Sequence, residues 1–260
     1  PWMSLYTFFI QPLTTGFGVT ELIVKATPLI LIGVGLSIGF KANVWNIGAE
    51  GQFTMGAIAG GGTALFLNTQ ESFLVLPAVL LMGILGGVVW GMIPAFLKTK
   101  FNANEILTSL MLSYVALLIL SYLVHGPWRD PGGYNFPESE IFSDFAMLPI
   151  LLEGTRLNLG TGFALLSVLI IYILLSRTVL GYQFKVVGLA PAAAKHAGFD
   201  RVKLIWLSMI ISGGLAGLAG ISEVSGTIGQ LLPSVSPGYG FTAILSLIHI
   251  SEPTRRLSLS

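Results

Sequence analysis

Apolar stretches of about 20 residues recur along this 260-residue chain, and they limit what it can fold into. A helix needs about 20 apolar residues to cross the ~30 Å hydrocarbon core of a bilayer. Only 10% of the residues are charged, against about 25% in a soluble domain, and the mean hydropathy is +0.83. The sequence therefore predicts an all-α fold, a polytopic transmembrane helical bundle.

The apolar windows predict six complete spans and one truncated span. The complete spans are placed at residues 22–40, 44–66, 73–97, 106–124, 159–175 and 204–221, and the seventh begins near Tyr239. Residues 1–21 are predicted to form an external or interfacial segment, and residues 22–244 the transmembrane domain. Residues 245–260 are predicted to be a non-native tail, and the chain is expected to lack part of the native protein at both ends.

Charged residues are divided unequally between the loops, which predicts the orientation of the bundle. The loop at 177–203 contains Arg177, Lys185, Lys195, Arg201 and Lys203 against a single acidic residue, whereas the loop at 125–158 is mainly acidic. Lysine and arginine in short loops stay on the cytoplasmic side. The first loop is therefore predicted to be cytoplasmic and the second external, and all spans then alternate without conflict.

Glycine spacing predicts how some of the helices meet. Gly83, Gly87 and Gly91 repeat every four residues on one predicted span, and Gly213 and Gly217 do so on another. Small residues at this spacing let helix backbones approach closely in a bilayer, where lipid supplies no hydrophobic drive. These glycines are therefore predicted to pack helices rather than to bind a ligand.

Four side chains near the start of the second predicted span form the first candidate site: Trp45, Asn46, Glu50 and Gln52. Ionisable groups within a bilayer are costly and usually face a bundle interior or an aqueous path. In a helix, Asn46 and Glu50 would stand one turn apart on one face. The set is a candidate path for a small polar solute. Alternatively, the polar groups satisfy one another, and Trp45 only anchors the chain at the membrane interface.

A second candidate set lies at the cytoplasmic start of the fourth predicted span and consists of Asn104, Glu105 and Thr108. Asn104 is the expected N-cap of that helix. Glu105 is a candidate for solute contact, with an ion pair to Lys98 or Lys100 as the alternative.

Two charged residues lie towards the external ends of their spans. Lys25 is predicted to reach the membrane interface by snorkelling. Glu223 is expected either where a passage opens to the outside or at a solvated helix end.

The cytoplasmic loop is predicted to contain a short exposed helix. Pro191 suits a first helical turn, alanine and Lys195 favour helix, and Gly198 can end it. A rigid helix among basic residues suits the docking of another protein, although these charges could serve only to fix the topology. The candidate docking residues are Gly188, Pro191, Ala192, Ala193, Lys195, His196 and Gly198.

Motifs typical of several enzyme classes are missing from the sequence. It has no Gly-x-x-x-x-Gly-Lys-Ser/Thr run to hold nucleotide phosphates and no His-Glu-x-x-His pair for zinc. It also has no cysteine, which excludes disulfides and thiolate sites. The net charge of +1 gives no reason to expect nucleic acid as a partner. We therefore predict no catalytic residue, metal ligand or cofactor on this chain.

Three runs of sequence, in this order, resemble the permease subunits of bacterial ABC importers for nucleosides and related simple sugars. They are residues 46–52 (Asn-Ile-Gly-Ala-Glu-Gly-Gln) with 25–31 upstream, residues 104–114, and the loop at 177–199. Residues 222–241 also fit. The wider group to which these permeases are related includes the branched-chain amino acid and ribose permeases.

The resemblance implies a translocation subunit, not an enzyme, that works by alternating access in the bacterial cytoplasmic membrane. It implies an ATPase subunit that binds ATP-Mg and receives the 191–197 helix, a second permease subunit and an extracytoplasmic solute-binding protein. Trp45 and the nearby amides would suit the base and ribose of a nucleoside. Two alternatives remain: an ion-gradient-driven secondary transporter, with Glu50 as its coupling carboxylate, and a purely structural membrane protein.

Overall fold

The computed structural model describes residues 6–256, and within this range the regular structure is helical. The main helices are α1 (Gly16–Lys41), α2 (Ala49–Phe66), α3 (Val75–Phe101), α4 (Glu105–His125), α5 (Gly160–Arg177), α6 (Val179–Leu189), α7 (Pro191–His196), α8 (Arg201–Glu223) and α9 (Tyr239–Arg256). Short helical segments lie at Tyr6–Ile10, Gln11–Thr14, Asp144–Ala146 and Val224–Ile228. The outermost residues of the predicted interfacial segment and of the predicted tail, 1–5 and 257–260, lie outside the described residues.

Five helices in the described range are long and apolar enough to cross a membrane: α1, α3, α4, α5, and α8 with its continuation to Ile228. Two helix starts differ from the predicted span starts. α1 begins at Gly16, because Thr15 accepts a hydrogen bond from the backbone N–H of Gly18 (3.1 Å) and caps the helix. α2 begins only at Ala49, since the chain before it forms turns. The chain is a multi-pass membrane protein with a helical bundle fold.

α8 occupies the centre of the bundle. About two thirds of its most apolar window is buried (67%), against 22% in α3, α4 and α5. It packs against α1, α2 and α3, and its apolar contacts fall into two clusters. The larger cluster includes Leu31, Phe53 and Ile221, and the smaller one, towards α6 and α7, includes Phe184 and Met209. The outer helices present large apolar side chains outward, as a lipid-facing surface requires.

The predicted packing glycines lie at the contact between α3 and α8. A Cβ atom on Gly87 would collide with the carbonyl oxygen of Gly213, and one on Gly217 would collide with that of Gly83. A Cβ on Gly91 would meet the carbonyl oxygen of Met209. The two backbones therefore approach so closely that no side chain fits between them.

The segment between α4 and α5 folds back over one end of α8. The backbone N–H groups of Ser139, Phe142 and Leu148 donate to carbonyl oxygens of Leu231 (3.0 Å), Gly229 (2.9 Å) and Ser225 (2.9 Å). Arg156 in the same segment pairs with Glu21 of α1, and the carboxylate raises the pKa of the Arg156 guanidinium by stabilising its charged form. The predicted external loop is thus tied to the outer ends of α1 and α8.

Candidate functional site

The connection between α1 and α2 carries two of the candidate site residues. Asn43 adopts a left-handed conformation (φ +56°) directly after α1, and the indole N–H of half-buried Trp45 donates to its Oδ1 (3.2 Å). Asn46 follows in the same non-helical stretch. The expected one-turn relation between Asn46 and Glu50 on a helix face is therefore wrong, because Asn46 precedes the first turn of α2.

The buried side chain of Asn46 is the centre of a polar network. Its Nδ2 donates to Oε1 of Gln52 (2.9 Å) and to the hydroxyl of Ser212 (2.9 Å). Its Oδ1 accepts from the backbone N–H of Gly48 (3.0 Å) and from Nε2 of Gln52 (3.2 Å). Asn46 and Gln52 are only 2% and 1% exposed. All four hydrogen bonds that the Asn46 amide can form are satisfied by the protein, and they join the α1–α2 connection to α8.

Glu50 links α2 to α9. Its carboxyl group is 2% exposed, and Oε2 accepts from the backbone N–H of Gly240 (2.7 Å), in the first turn of α9. The N-terminus of a helix carries a partial positive charge and unpaired N–H groups, which favour a carboxylate there. The rings of Phe53 and Tyr239 lie 5.9 Å apart beside this contact. Glu50 therefore accepts a hydrogen bond from an otherwise unpaired N–H group at the start of α9, inside the bundle.

The second candidate set stays at the end of α4. Asn104 is the N-cap, as predicted, since its Oδ1 accepts from the N–H of Ile106 (2.9 Å). Glu105 pairs with Lys98 (2.7 Å) rather than with Lys100. The Thr108 hydroxyl donates to the carbonyl oxygen of Asn104 in its own helix (3.0 Å). In the described part of the chain, no hydrogen bond joins this set directly to Asn46, Glu50 or Gln52.

Three residues on α1, α8 and α9 form a cluster that the sequence interpretation missed. Nζ of Lys25 donates to the hydroxyl of Tyr239 (3.0 Å) and to Oε1 of Glu223 (3.4 Å), and the Tyr239 hydroxyl also donates to Glu223 (3.4 Å). Lys25 therefore joins α1 to α8 and α9, a role that the sequence interpretation did not include, while its side chain stays about half exposed (51%). The signal in the sequence was one basic and one acidic residue in the outer halves of two spans.

A cavity of about 10 Å³ beside this cluster is lined by Thr27, Asn158 and Ser222, among others. It is about the size that one water molecule requires. It is therefore too small for a sugar or a nucleoside.

The candidate docking residues of the predicted cytoplasmic loop form a short, well-defined helix. α7 begins at Pro191 as predicted, and Gly198 follows its end with φ +75°. The N–H of Phe199 donates to the carbonyl oxygen of Ala194 (3.0 Å) and that of Gly198 to Lys195 (3.1 Å), which is the hydrogen-bond pattern of a Schellman motif. Ala194 is buried beneath the helix. The exposed candidate residues are Pro191, Ala192, Ala193, Lys195, His196 and Gly198.

A groove of about 460 Å³ runs beside α7, between α6 and the start of α8. Its lining is apolar at Val187 and Phe199 and charged at Lys195, Asp200 and Arg201. Gly188 lies against the carbonyl oxygen of Lys41, so α6 is seated on the end of α1. The α6–α7 unit thus offers an outward-facing surface that is firmly attached to the bundle.

A sequence model of the family described as branched-chain amino acid transport system / permease component matches residues 18–248. The match covers most of the chain, which therefore belongs to this family of membrane permeases.

Among its relatives, the glucose ABC transporter permease protein TsgB13 of Haloferax volcanii is 39% identical over 91% of the chain and 64% of the relative. The guanosine ABC transporter permease protein NupP of Bacillus subtilis is 32% identical over 87% of the chain and 65% of the relative. The nucleoside ABC transporter permease protein NupB of Lactococcus lactis is 29% identical over 82% and 60%. The chain thus spans somewhat less than two thirds of the length of these relatives. No solved structure matches the chain significantly.

Proposed function

We propose that this chain is the membrane-spanning permease subunit of an ATP-driven ABC importer for nucleosides or related simple sugars. Membership of the permease family supports the subunit type. The names of three relatives, which refer to glucose, guanosine and nucleosides, support the solute class. The structural observation that carries the proposal is α7, an exposed helix on the basic loop with a groove beside it. A rigid projection of this kind suits a docking contact with a motor subunit.

The proposed topology has six complete spans and one truncated span in the bacterial cytoplasmic membrane. α2 is the additional complete span, beyond the five most apolar helices, and α9 is the truncated one. α2 is less apolar because it carries Glu50, Gln52 and several glycines. It needs little apolar surface, since α3, α4 and α8 pack around it. α7 then lies in the cytoplasm and the 125–158 loop outside.

The proposed mechanism is alternating access, with the force entering at α7. Buried Ala194 of α7 belongs to the same apolar cluster as Phe184 of α6 and Leu204 of α8. Displacement of α7 by a closing ATPase would therefore be passed to α8, the central helix. From α8, the hydrogen bond between Ser212 and Asn46 leads to the start of α2. We propose that Asn46, Glu50 and Gln52 hold the wall of the solute path in place, while α7 receives the motion.

The proposed partners follow from this arrangement. An ATPase subunit that binds ATP-Mg would dock on α7 and its groove, and this chain itself would bind no cofactor. A second permease subunit would complete the membrane passage, and membrane lipid would surround the outer helices. An extracytoplasmic solute-binding protein would meet the 125–158 loop, whose exposed surface includes Tyr134 and Phe136. No nucleic acid partner is proposed.

The function is tested by replacing residues 192–195 with Gly-Ser-Gly-Ser in the intact transporter, reconstituted with its ATPase and binding protein. Loss of a rigid α7 is expected to lower ATP-driven uptake at least tenfold while the bundle still folds. Lys195→Ala is the matched control, because it keeps a good helix former and removes only the charge. Uptake of normal rate in the Gly-Ser variant would contradict the coupling role of α7.

The source of energy distinguishes the proposed importer from the alternative, a secondary transporter. With a hydrolysis-deficient ATPase, the proposed importer loses uptake even when an ion gradient is present. A gradient-driven transporter would continue to move solute under these conditions and would stop when the gradient is dissipated.

A further inference from the structure

The connection between α8 and α9 runs through the bundle without forming a helix. At its upper end, Leu231 occupies the position that a side chain on Gly61 would need, with Cδ1 2.9 Å from the ideal Cβ site. At its lower end, the N–H of Gly240 donates to Glu50. Gly61 and Glu50 lie about 16 Å apart along α2, at a rise of about 1.5 Å per residue. The chain between Leu231 and Gly240 therefore descends about 16 Å beside α2.

The lower end of this connection lies deep in the span region. The N–H of Gly51 donates to the hydroxyl of Ser113 in α4 (3.2 Å), which places the start of α2 level with Ser113. Ser113 is about 12 Å along α4 from its first residue, Glu105, at about 1.5 Å per residue. Glu50 and Gly240 are thus about 12 Å above the cytoplasmic end of α4. α9 consequently begins within the depth of the hydrocarbon core.

Several backbone N–H groups of this connection have no hydrogen-bond acceptor, although the connection lies at membrane depth. In the described structure, no protein group accepts a hydrogen bond from the N–H of Leu232, Ser234 or Val235. Pro233 and Pro237 have no N–H to donate. Irregular backbone at membrane depth is tolerated only where protein buries it or where it lines a water-filled cavity, since an unsatisfied polar group in lipid is strongly unfavourable.

The lower part of the connection is paired, in contrast to its middle. The hydroxyl of Ser236 accepts from the N–H groups of Gly238 and Tyr239, both at 3.0 Å, and so caps the start of α9. Ser234 and Pro237 are exposed in the described part of the chain. The middle of this stretch is therefore exposed, whereas contacts with the rest of the bundle hold its two ends.

We propose that residues 232–238 form one wall of an aqueous passage that opens towards the external side. This inference rests on the proposed importer function and identifies where the solute makes contact. Water satisfies the free backbone groups in the empty passage. A solute rich in hydroxyl groups, such as the sugar part of a nucleoside or a simple sugar, replaces that water by hydrogen bonding to the same N–H groups and to the Ser234 hydroxyl.

Cysteine accessibility tests this wall in the intact, reconstituted transporter. The 260 residues contain no cysteine, so Ser234→Cys and Pro237→Cys each introduce a single thiol once any cysteine elsewhere in the permease has been replaced. The matched control is Leu118→Cys on α4, because Leu118 is 70% exposed and lies at a similar depth, about 8 Å beyond Ser113. A charged, membrane-impermeant methanethiosulfonate reagent is added from the external side.

The thiol at position 234 or 237 is expected to react at least tenfold faster than that at 118, and excess solute is expected to slow the reaction. Modification of Ser234→Cys is expected to block uptake, whereas treatment of Leu118→Cys leaves uptake unchanged. Equal, slow reaction at 234, 237 and 118 would overturn the inference, because lipid or a second subunit would then cover the wall. So would rapid modification of both thiols with uptake unchanged.

The labelling and uptake results separate this inference from the proposed function. Labelling measures access of water and needs no ATP. Rapid labelling in a transporter that shows no ATP-driven uptake of any nucleoside or sugar would support the aqueous passage and reject the proposed importer function. Normal ATP-driven uptake without labelling at 234 or 237 would support the importer and reject the wall.

Discussion

α7 and the junction between α2 and α9 are stabilised in opposite ways. The start and end of α7 are determined by residues within or next to it, Pro191 and Gly198, and its outer face is open to solvent. The α2–α9 junction depends on a hydrogen bond between Glu50 and Gly240, which are 190 residues apart, and it is almost fully buried. Substitutions in α7 should therefore lower transport activity, whereas substitutions in the bundle interior should lower folding stability.

The largest effect is expected from Gly87→Ala at the contact between α3 and α8. The new Cβ would collide with the backbone of Gly213 and Gly217, and the helices would have to separate. We expect a loss of about 3 kcal/mol of folding stability, the upper part of the range for overpacking, measured as a lower melting temperature in lipid nanodiscs. Gly33→Ala in α1 is the matched control, since a Cβ there meets no atom within 4 Å.

Equal melting temperatures for these two alanine variants would show that α3 and α8 tolerate separation. The expected difference, in which substitutions in the bundle interior lower folding stability and substitutions in α7 do not, would then be contradicted where it should be largest.

A smaller effect is expected at Glu50. Glu50→Ala leaves the N–H of Gly240 buried without an acceptor, which costs about 2 kcal/mol within the usual range of about 1–3. Glu50→Gln keeps a carbonyl oxygen that can accept the same hydrogen bond, and it should retain most of the stability. Thermal melting of both variants in nanodiscs checks this order. If the glutamine variant were as unstable as the alanine variant, the charge itself, rather than the acceptor, would hold the junction.

The smallest effect on stability is expected at Gly198, whose φ of +75° strains any residue with a Cβ. Gly198→Ala should cost about 1 kcal/mol locally, and Gly198→Asn less, because asparagine tolerates the left-handed region better. We expect the bundle to melt normally in both variants. ATP-driven uptake should fall several-fold in the alanine variant and less in the asparagine variant. A large drop in melting temperature for Gly198→Ala would show that α7 is part of the folding core.

The features that the sequence predicted correctly depend on neighbours in the chain. The bounds of α7, the cap at Asn104 and the apolar length of the spans follow from residues within a few positions of each other. Helix signals act over this range, because capping and propensity are properties of one turn. The membrane helix bundle could therefore be predicted, with errors at the starts of α1 and α2.

The candidate site was predicted less well, because its geometry depends on residues far apart in sequence. Asn46 was placed on a helix face, but it lies in the non-helical stretch before α2 and binds Ser212, 166 residues away. Glu223 and Tyr239, which bind Lys25 from two other helices, were not predicted as its partners. No periodic pattern marks such pairs. The two prolines at 233 and 237, which prevent a helix between α8 and α9, were the one local sign of the irregular connection.

The close contact of α3 with α8 also restricts how the protein can move. The Gly83–Gly217 and Gly87–Gly213 backbones are in direct contact, so the two helices have no room to approach each other further. α2 is locked to the same pair, since a Cβ on Gly56 would collide with Gly217. α2, α3 and α8 therefore form one closely packed unit, and under the proposed alternating access we expect rearrangement at its boundary with α1, α4, α5 and α9.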